Sequence, residues 1–238
     1  MAGDPANHSQ NVVNSGTSVL ACKYADGIMI ATDTNICYGS FKEYKHQQRI
    51  VGISEEAAIA CSGEMSDFQE IQKTVKEMSD ADMIQSDGHK FLRPRDYFNY
   101  LSNVHYRKRM KVDPWLCSTV VGGVRKDNGE LFLGCSDFFG TKIERDYILT
   151  GMAAYYCNVL MEADWSMNMT EAAARKMMEK CLSVLYLRDK KASDEIQICK
   201  VTREGVVIDK PYTIASEWGI RDFKERNNEF FRPFRVWY

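Results

Sequence analysis

The chain has 238 residues, 45% of them hydrophobic and 27% charged, and its 31 Lys and Arg against 33 Asp and Glu give a formal charge of -2. That balance supports a sizeable core and excludes a disordered or collagen-like chain, and it supplies no overall basic field for gathering nucleic acid. No run reaches the roughly 18 apolar residues of a membrane helix, and the first fifteen residues lack the basic start and apolar stretch of a secretion signal, so neither nucleic acid nor membrane is expected as a partner.

Residues 1–16 are small and polar and read as a leader-like segment. At Thr17 the pattern changes to short apolar runs: TSVLACKY and GIMIATDT, joined by the turn Ala25-Asp26-Gly27, then RIVGI from Arg49 and AAIACS from Ala57, which predict four strands. After Gly63 the period becomes helical, with Met65, Phe68, Ile71, Val75 and Met78 on one face. Pro94 opens a second helix carrying Tyr97, Leu101, Val104 and His105 and ending in the basic run Arg107 to Lys111, where cations complement the helix dipole.

STVVGGV and ELFLGCS return to strand around the turn Lys126 to Gly129, and Gly151 to Ala163 reads as one further helix. Thr170 is an N-cap candidate for a longer helix with Ala174, Met177, Met178, Cys181, Leu182 and Leu185 inside. EIQICKVT and GVVID close the set as a hairpin. Grouped strands and helix pairs, without strict βαβ alternation, predict α+β layers in one domain over residues 17–210, followed by a C-terminal arm over 211–238.

The eight cysteines stand singly in apolar runs with no C-x-x-C, which fits small buried hydrophobes in a reducing compartment. The four histidines are too widely spaced to pair as metal ligands, and no dinucleotide, phosphate-loop, zinc-protease or serine-hydrolase motif is present, so no metal and no cofactor is expected.

Gly16-Thr17 carries a specific chemistry. Cleavage after Gly16 would release a threonine whose own α-amino group can act as base for its hydroxyl. Alone the dipeptide is as compatible with a turn before a strand.

The stretches GTSVLACKYADGIMIATDT, ACSGEMSDF and LSVLYLRD resemble the proteasome β-subunit family. SQNVVNSGTSVL, CYGSFKEYKHQQRI, SDGHKF, YRKRMKVDPW, YLRDKKASDEIQI and EWGI are similar to its branch at the seventh β position, so the likeness spans roughly residues 9 to 220. The resemblance implies a four-layer αββα sandwich of the N-terminal-nucleophile hydrolase type, partners among the β subunits of the same and facing rings and the α-ring subunits, and a cytoplasmic and nuclear location.

In active members a threonine, an aspartate, a lysine and a later serine, aspartate and serine form the site. Those positions fall on Thr17, Asp33, Arg49, Thr150, Asp189 and Ala192. Arginine keeps the charge of lysine but is a wide fork that stays protonated, and Ala192 lacks a hydroxyl. The resemblance therefore implies a degenerate site in a non-catalytic structural subunit, with Thr17 a strand residue and its leader trimmed near Ser9; the alternative is an active threonine peptidase using Thr17 after cleavage at Gly16. The tail aromatics Trp218, Phe230, Phe231, Phe234, Trp237 and Tyr238, set among arginines, are the residue types that anchor interfaces and suggest an arm docked on neighbouring subunits.

Overall fold

The computed structural model describes residues 12–87 and 92–216. The first eleven residues of the leader, and all six tail aromatics named above, lie outside the described residues.

Two antiparallel sheets stack face to face. The first has eight strands: β1 (Asn14–Gly16), β4 (Ile36–Tyr38), β5 (Phe41–Tyr44), β6 (Ile50–Gly52), β7 (Ala57–Glu64), β8 (Cys117–Val124), β9 (Leu131–Ser136) and β10 (Lys142–Glu144). Its order is β10-β9-β8-β7-β1-β4-β5, with β6 paired to β7. The second holds β2 (Val19–Tyr24), β3 (Gly27–Asp33), β11 (Tyr147–Leu149), β12 (Glu195–Thr202), β13 (Gly205–Ile208) and β14 (Tyr212–Thr213), ordered β11-β2-β3-β12-β13 with β14 paired to β12.

The central strands read as continuous apolar runs because both faces are covered. In β2 and β3 the side chains alternate: Val19, Ala21, Ile28 and Ile30 enter the core between the sheets, while Leu20, Cys22, Met29 and Ala31 face the helices outside. Helices α1 (Met65–Gln85) and α2 (Pro94–Met110) press Phe68, Ile71, Val75, Phe98 and Leu101 onto the eight-stranded sheet. On the other sheet lie α3 (Ala153–Tyr156), α4 (Asn158–Asp164) and α5 (Glu171–Arg188), with Met177, Met178 and Leu182 packed inward. The predicted αββα sandwich is what forms.

Local chemistry sets the element ends. Pro94 takes the first position of α2, and the Arg93 amide donates to the Asp96 carboxylate at 2.9 Å, while Thr170 Oγ1 accepts from the Ala173 amide at 3.3 Å to start α5.

Several boundaries differ from the sequence reading. Among the described residues seven strands precede α1, not four, because β1, β4 and β5 are only three or four residues long, too short to show a period, and β1 carries little strand propensity of its own. The predicted helix over 151–163 is two short helices broken at Cys157. The last three residues of the leader-like segment, Asn14–Gly16, form a strand that is paired on both edges. Nor does the arm begin at 211: Tyr212 and Thr213 pair with Ile196 and Glu195 and belong to the second sheet. Among the described residues no helix is long and apolar enough to cross a membrane, and all eight cysteines are buried and unpaired.

Candidate functional site

Thr17 is not a strand residue. It lies where the chain leaves β1 in one sheet and enters β2 in the other, so its position is set by both. Upstream, β1 is clamped on two sides: Asn14, Ser15 and Gly16 pair with Tyr38, Cys37 and Ile36, and Ser15 and Gly16 also pair with Glu64 and Gly63. The amides of Val13 and Asn14 both donate to Glu64 Oε2, at 2.6 and 3.0 Å. Glu64, a residue that sequence reasoning passed over at the strand-to-helix junction, is therefore the acceptor that anchors the segment leading into Thr17.

Asp33 closes β3 and is buried, and Arg49, just before β6, is 1% exposed. Arg49 Nη1 donates to Asp33 Oδ1 and, at 3.3 Å, to the Asp33 carbonyl; Nη2 donates to the carbonyls of Ser18 at 3.1 Å and Cys61 at 3.0 Å. The guanidinium thus ties both sheets and the crossover together. Its Nε is buried without a hydrogen-bond partner and lies under Gly16, where an added Cβ would come within 2.3 Å of it. Only glycine leaves room for the fork.

The Thr17 hydroxyl donates to Asp33 Oδ1 at 3.3 Å, and the Ser193 amide donates to Asp33 Oδ2 at 3.2 Å. Burial pushes the Asp33 carboxyl above its ordinary range, and Arg49 with these hydrogen bonds pulls against that rise. Three of the six sequence-derived positions, Thr17, Asp33 and Arg49, are in direct contact.

The other three are arranged differently. The Thr150 amide donates to the Val19 carbonyl at 2.9 Å, and its hydroxyl accepts from the Val19 amide at 3.0 Å, so this side chain serves the β2 backbone. Asp189 caps the end of α5; its Oδ1 accepts from the Lys191 amide at 2.9 Å, whereas Oδ2 is buried without a partner. Ala192, whose amide donates to the Asp189 carbonyl at 3.1 Å, offers no hydroxyl to that oxygen.

A cleft of about 870 Å³ opens over Ser15, Gly16, Thr17, Gly151, Tyr155 and Asp189. Gly151 is left-handed at φ +58, and a Cβ there would lie 2.7 Å from the Thr17 carbonyl, so the chain needs glycine at this wall. Arg49, Asp33, Thr150 and Ala192 do not line the cleft. Among the described residues no cluster of three His, Cys, Asp or Glu is placed to hold a metal ion.

Attack by a threonine hydroxyl requires a group that takes its proton. With Gly16 in place the Thr17 nitrogen is a peptide amide. The guanidinium stays protonated, and the carboxylate oxygen that accepts from Thr17 also accepts from Arg49. Through Asp33 and Arg49 the cluster ties Thr17 to the sheet ends, with Arg49 Nε left without a partner.

A family model described as proteasome subunit matches residues 13–201. The chain is 35% identical over 209 residues to a proteasome subunit beta type-4 from Arabidopsis thaliana, covering 88% of this chain and 84% of that protein. It is 31% identical over 218 residues to a beta type-4 subunit from Xenopus laevis, at 91% and 89% coverage, and 27% identical over 208 residues to a beta type-7 subunit from Saccharomyces cerevisiae, at 84% and 77%.

Proposed function

The chain belongs to the proteasome subunit family, among relatives named type-4 β subunits, and from that premise we propose that it is a non-catalytic structural β subunit of the core particle. Membership implies assembly with other proteasome subunits; the proposal places it against β subunits of its own and the facing ring and against the α ring, supporting the barrel that degrades ubiquitin-tagged and unfolded proteins. It works in the cytoplasm and nucleus, a reading with which eight unpaired thiols agree. The tail beyond residue 216 serves as the arm that docks on neighbouring subunits.

One observation carries the non-catalytic reading: Arg49, where active members keep lysine, spends its fork on Asp33, Ser18 and Cys61 beneath Thr17. A lysine ammonium is a compact charge whose pKa can be lowered for proton transfer; the guanidinium remains an ion and serves as a brace. The two-edged pairing of β1 is consistent with the same reading, because it builds Ser15 and Gly16 into the sheet as structural residues.

Intact mass of the subunit, taken from the purified particle after treatment with a covalent threonine-directed inhibitor, tests this. The expected result is an N-terminus upstream of Gly16 and no adduct. A chain beginning at Thr17 and carrying the inhibitor would establish the alternative, an active threonine peptidase.

A further inference from the structure

In the helical layer over the eight-stranded sheet, the last turn of α2 packs beside the loop Asp137 to Gly140 that joins β9 to β10. Gly140 sits so close to the helix that an added Cβ would lie 2.7 Å from Tyr106. Asp137 Oδ1 holds the loop by accepting from the amides of Phe139 and Thr141, each at 2.9 Å. This places Phe138 and Phe139, with ring centroids 3.8 Å apart, beside a helix end on which Tyr106 and Met110 are also exposed. The Arg109 guanidinium covers the Phe139 ring at 5.1 Å.

Four large apolar side chains gathered in one place differ from apolar residues scattered singly over a surface. Their rim is positive. Arg107, Arg109 and Lys111 form no ion pair among the described residues, and the nearby acids are already engaged: Asp113 with Lys108 at 3.5 Å, and Asp137 inside its own loop. Complementing the helix dipole needs cations here but does not account for exposed aromatic rings between them. Aromatic, Met and Arg side chains are the types enriched where proteins meet.

Resting on the reading of the chain as a subunit of the particle, we infer that this face docks a segment of another proteasome subunit that presents an apolar side chain flanked by Asp or Glu. The apolar group covers Phe138 and Phe139, and the carboxylates meet Arg107, Arg109 and Lys111. Complementary charge at the rim sets the register and disfavours basic competitors.

The test replaces Phe139 by photoreactive benzoylphenylalanine in the full chain, expressed in its own cells; the particle is purified, irradiated and the cross-linked peptides sequenced. The expected adduct joins residue 139 to an acidic segment of a different subunit. In the exposed triple variant Arg107→Glu, Arg109→Glu, Lys111→Glu the adduct falls by about tenfold, while Arg107→Lys with Arg109→Lys retains it. An adduct to a segment without acids, to residues 217–238 of this chain, or to a second copy overturns the docking inference, as does no adduct from a chain that has entered the particle. If the unsubstituted chain never enters the particle, the structural-subunit reading falls, and the docking inference with it.

Discussion

The guanidinium of Arg49 lies directly against the carboxylate of Asp33, with both side chains almost wholly withdrawn from solvent. Arginine beside the threonine is thus an element of construction: one Nη serves Asp33, and the other bridges the carbonyls of Ser18 and Cys61.

Removing one partner of such a buried pair strands the other. Arg49→Ala is expected to lower stability by about 3–5 kcal/mol, since Asp33 would remain as an uncompensated buried carboxylate. Arg49→Lys recovers only part of that, because an ammonium cannot reach Asp33 and both carbonyls with a planar fork. Denaturant titration of the purified chain measures both, and a fully stable Arg49→Lys variant would contradict the bracing role.

Gly16→Ala places a methyl group 2.3 Å from Arg49 Nε. The fork is held at three sites and cannot swing aside freely, so a loss of roughly 1–3 kcal/mol is expected, the usual cost of overpacking. Thermal unfolding reads it. Combining Gly16→Ala with Arg49→Ala should cost less than the sum of the two, because the second change removes the obstacle to the first.

Glu64 holds the entry to the site through the amides of Val13 and Asn14. Glu64→Ala leaves both amides without that acceptor and should destabilise β1 by about 1–3 kcal/mol; Glu64→Gln, which keeps a carbonyl oxygen, should cost less. Hydrogen exchange at Val13 and Asn14 is the direct measurement: faster in the alanine variant and unchanged at the centre of β3.

His105 sits inside, its Nε2 3.1 Å from Thr119 Oγ1 and its ring edge-on to Trp115, and burial lowers its pKa from 6.5 to about 4. Lys108 pushes in the same direction and Asp137 opposes it. The folded state therefore resists protonation that the unfolded chain accepts. Stability from this group is complete above pH 6.5 and drains away as pH falls toward 4, by about 3 kcal/mol in all. Melting temperature followed against pH should show that decline, and His105→Gln should flatten it.

The layered fold was legible in the chain because its central strands and helices bury whole faces: Ile28 and Ile30 against Met29 and Ala31 in β3, and Met177, Met178 and Leu182 on α5, state the periods directly. β1 was not legible, since Asn-Ser-Gly has no apolar pattern and is a strand only because β4 and β7 pair with it. The same holds for Glu64, whose meaning depends on amides fifty residues away.

Periodicity and residue type along the chain were enough to determine the α+β class, and the likeness of short motifs picked out Thr17, Asp33, Arg49, Thr150, Asp189 and Ala192 as one group. Only the folded arrangement decided that Thr150 turns to the β2 backbone, that Asp189 keeps a buried unpartnered oxygen, and that Arg49 is spent on four acceptors in three residues. The physical reason is range. Hydrophobic period is a property of neighbouring residues, whereas the direction of a buried hydrogen bond is settled by whichever partner the packed sheets bring within about 3 Å.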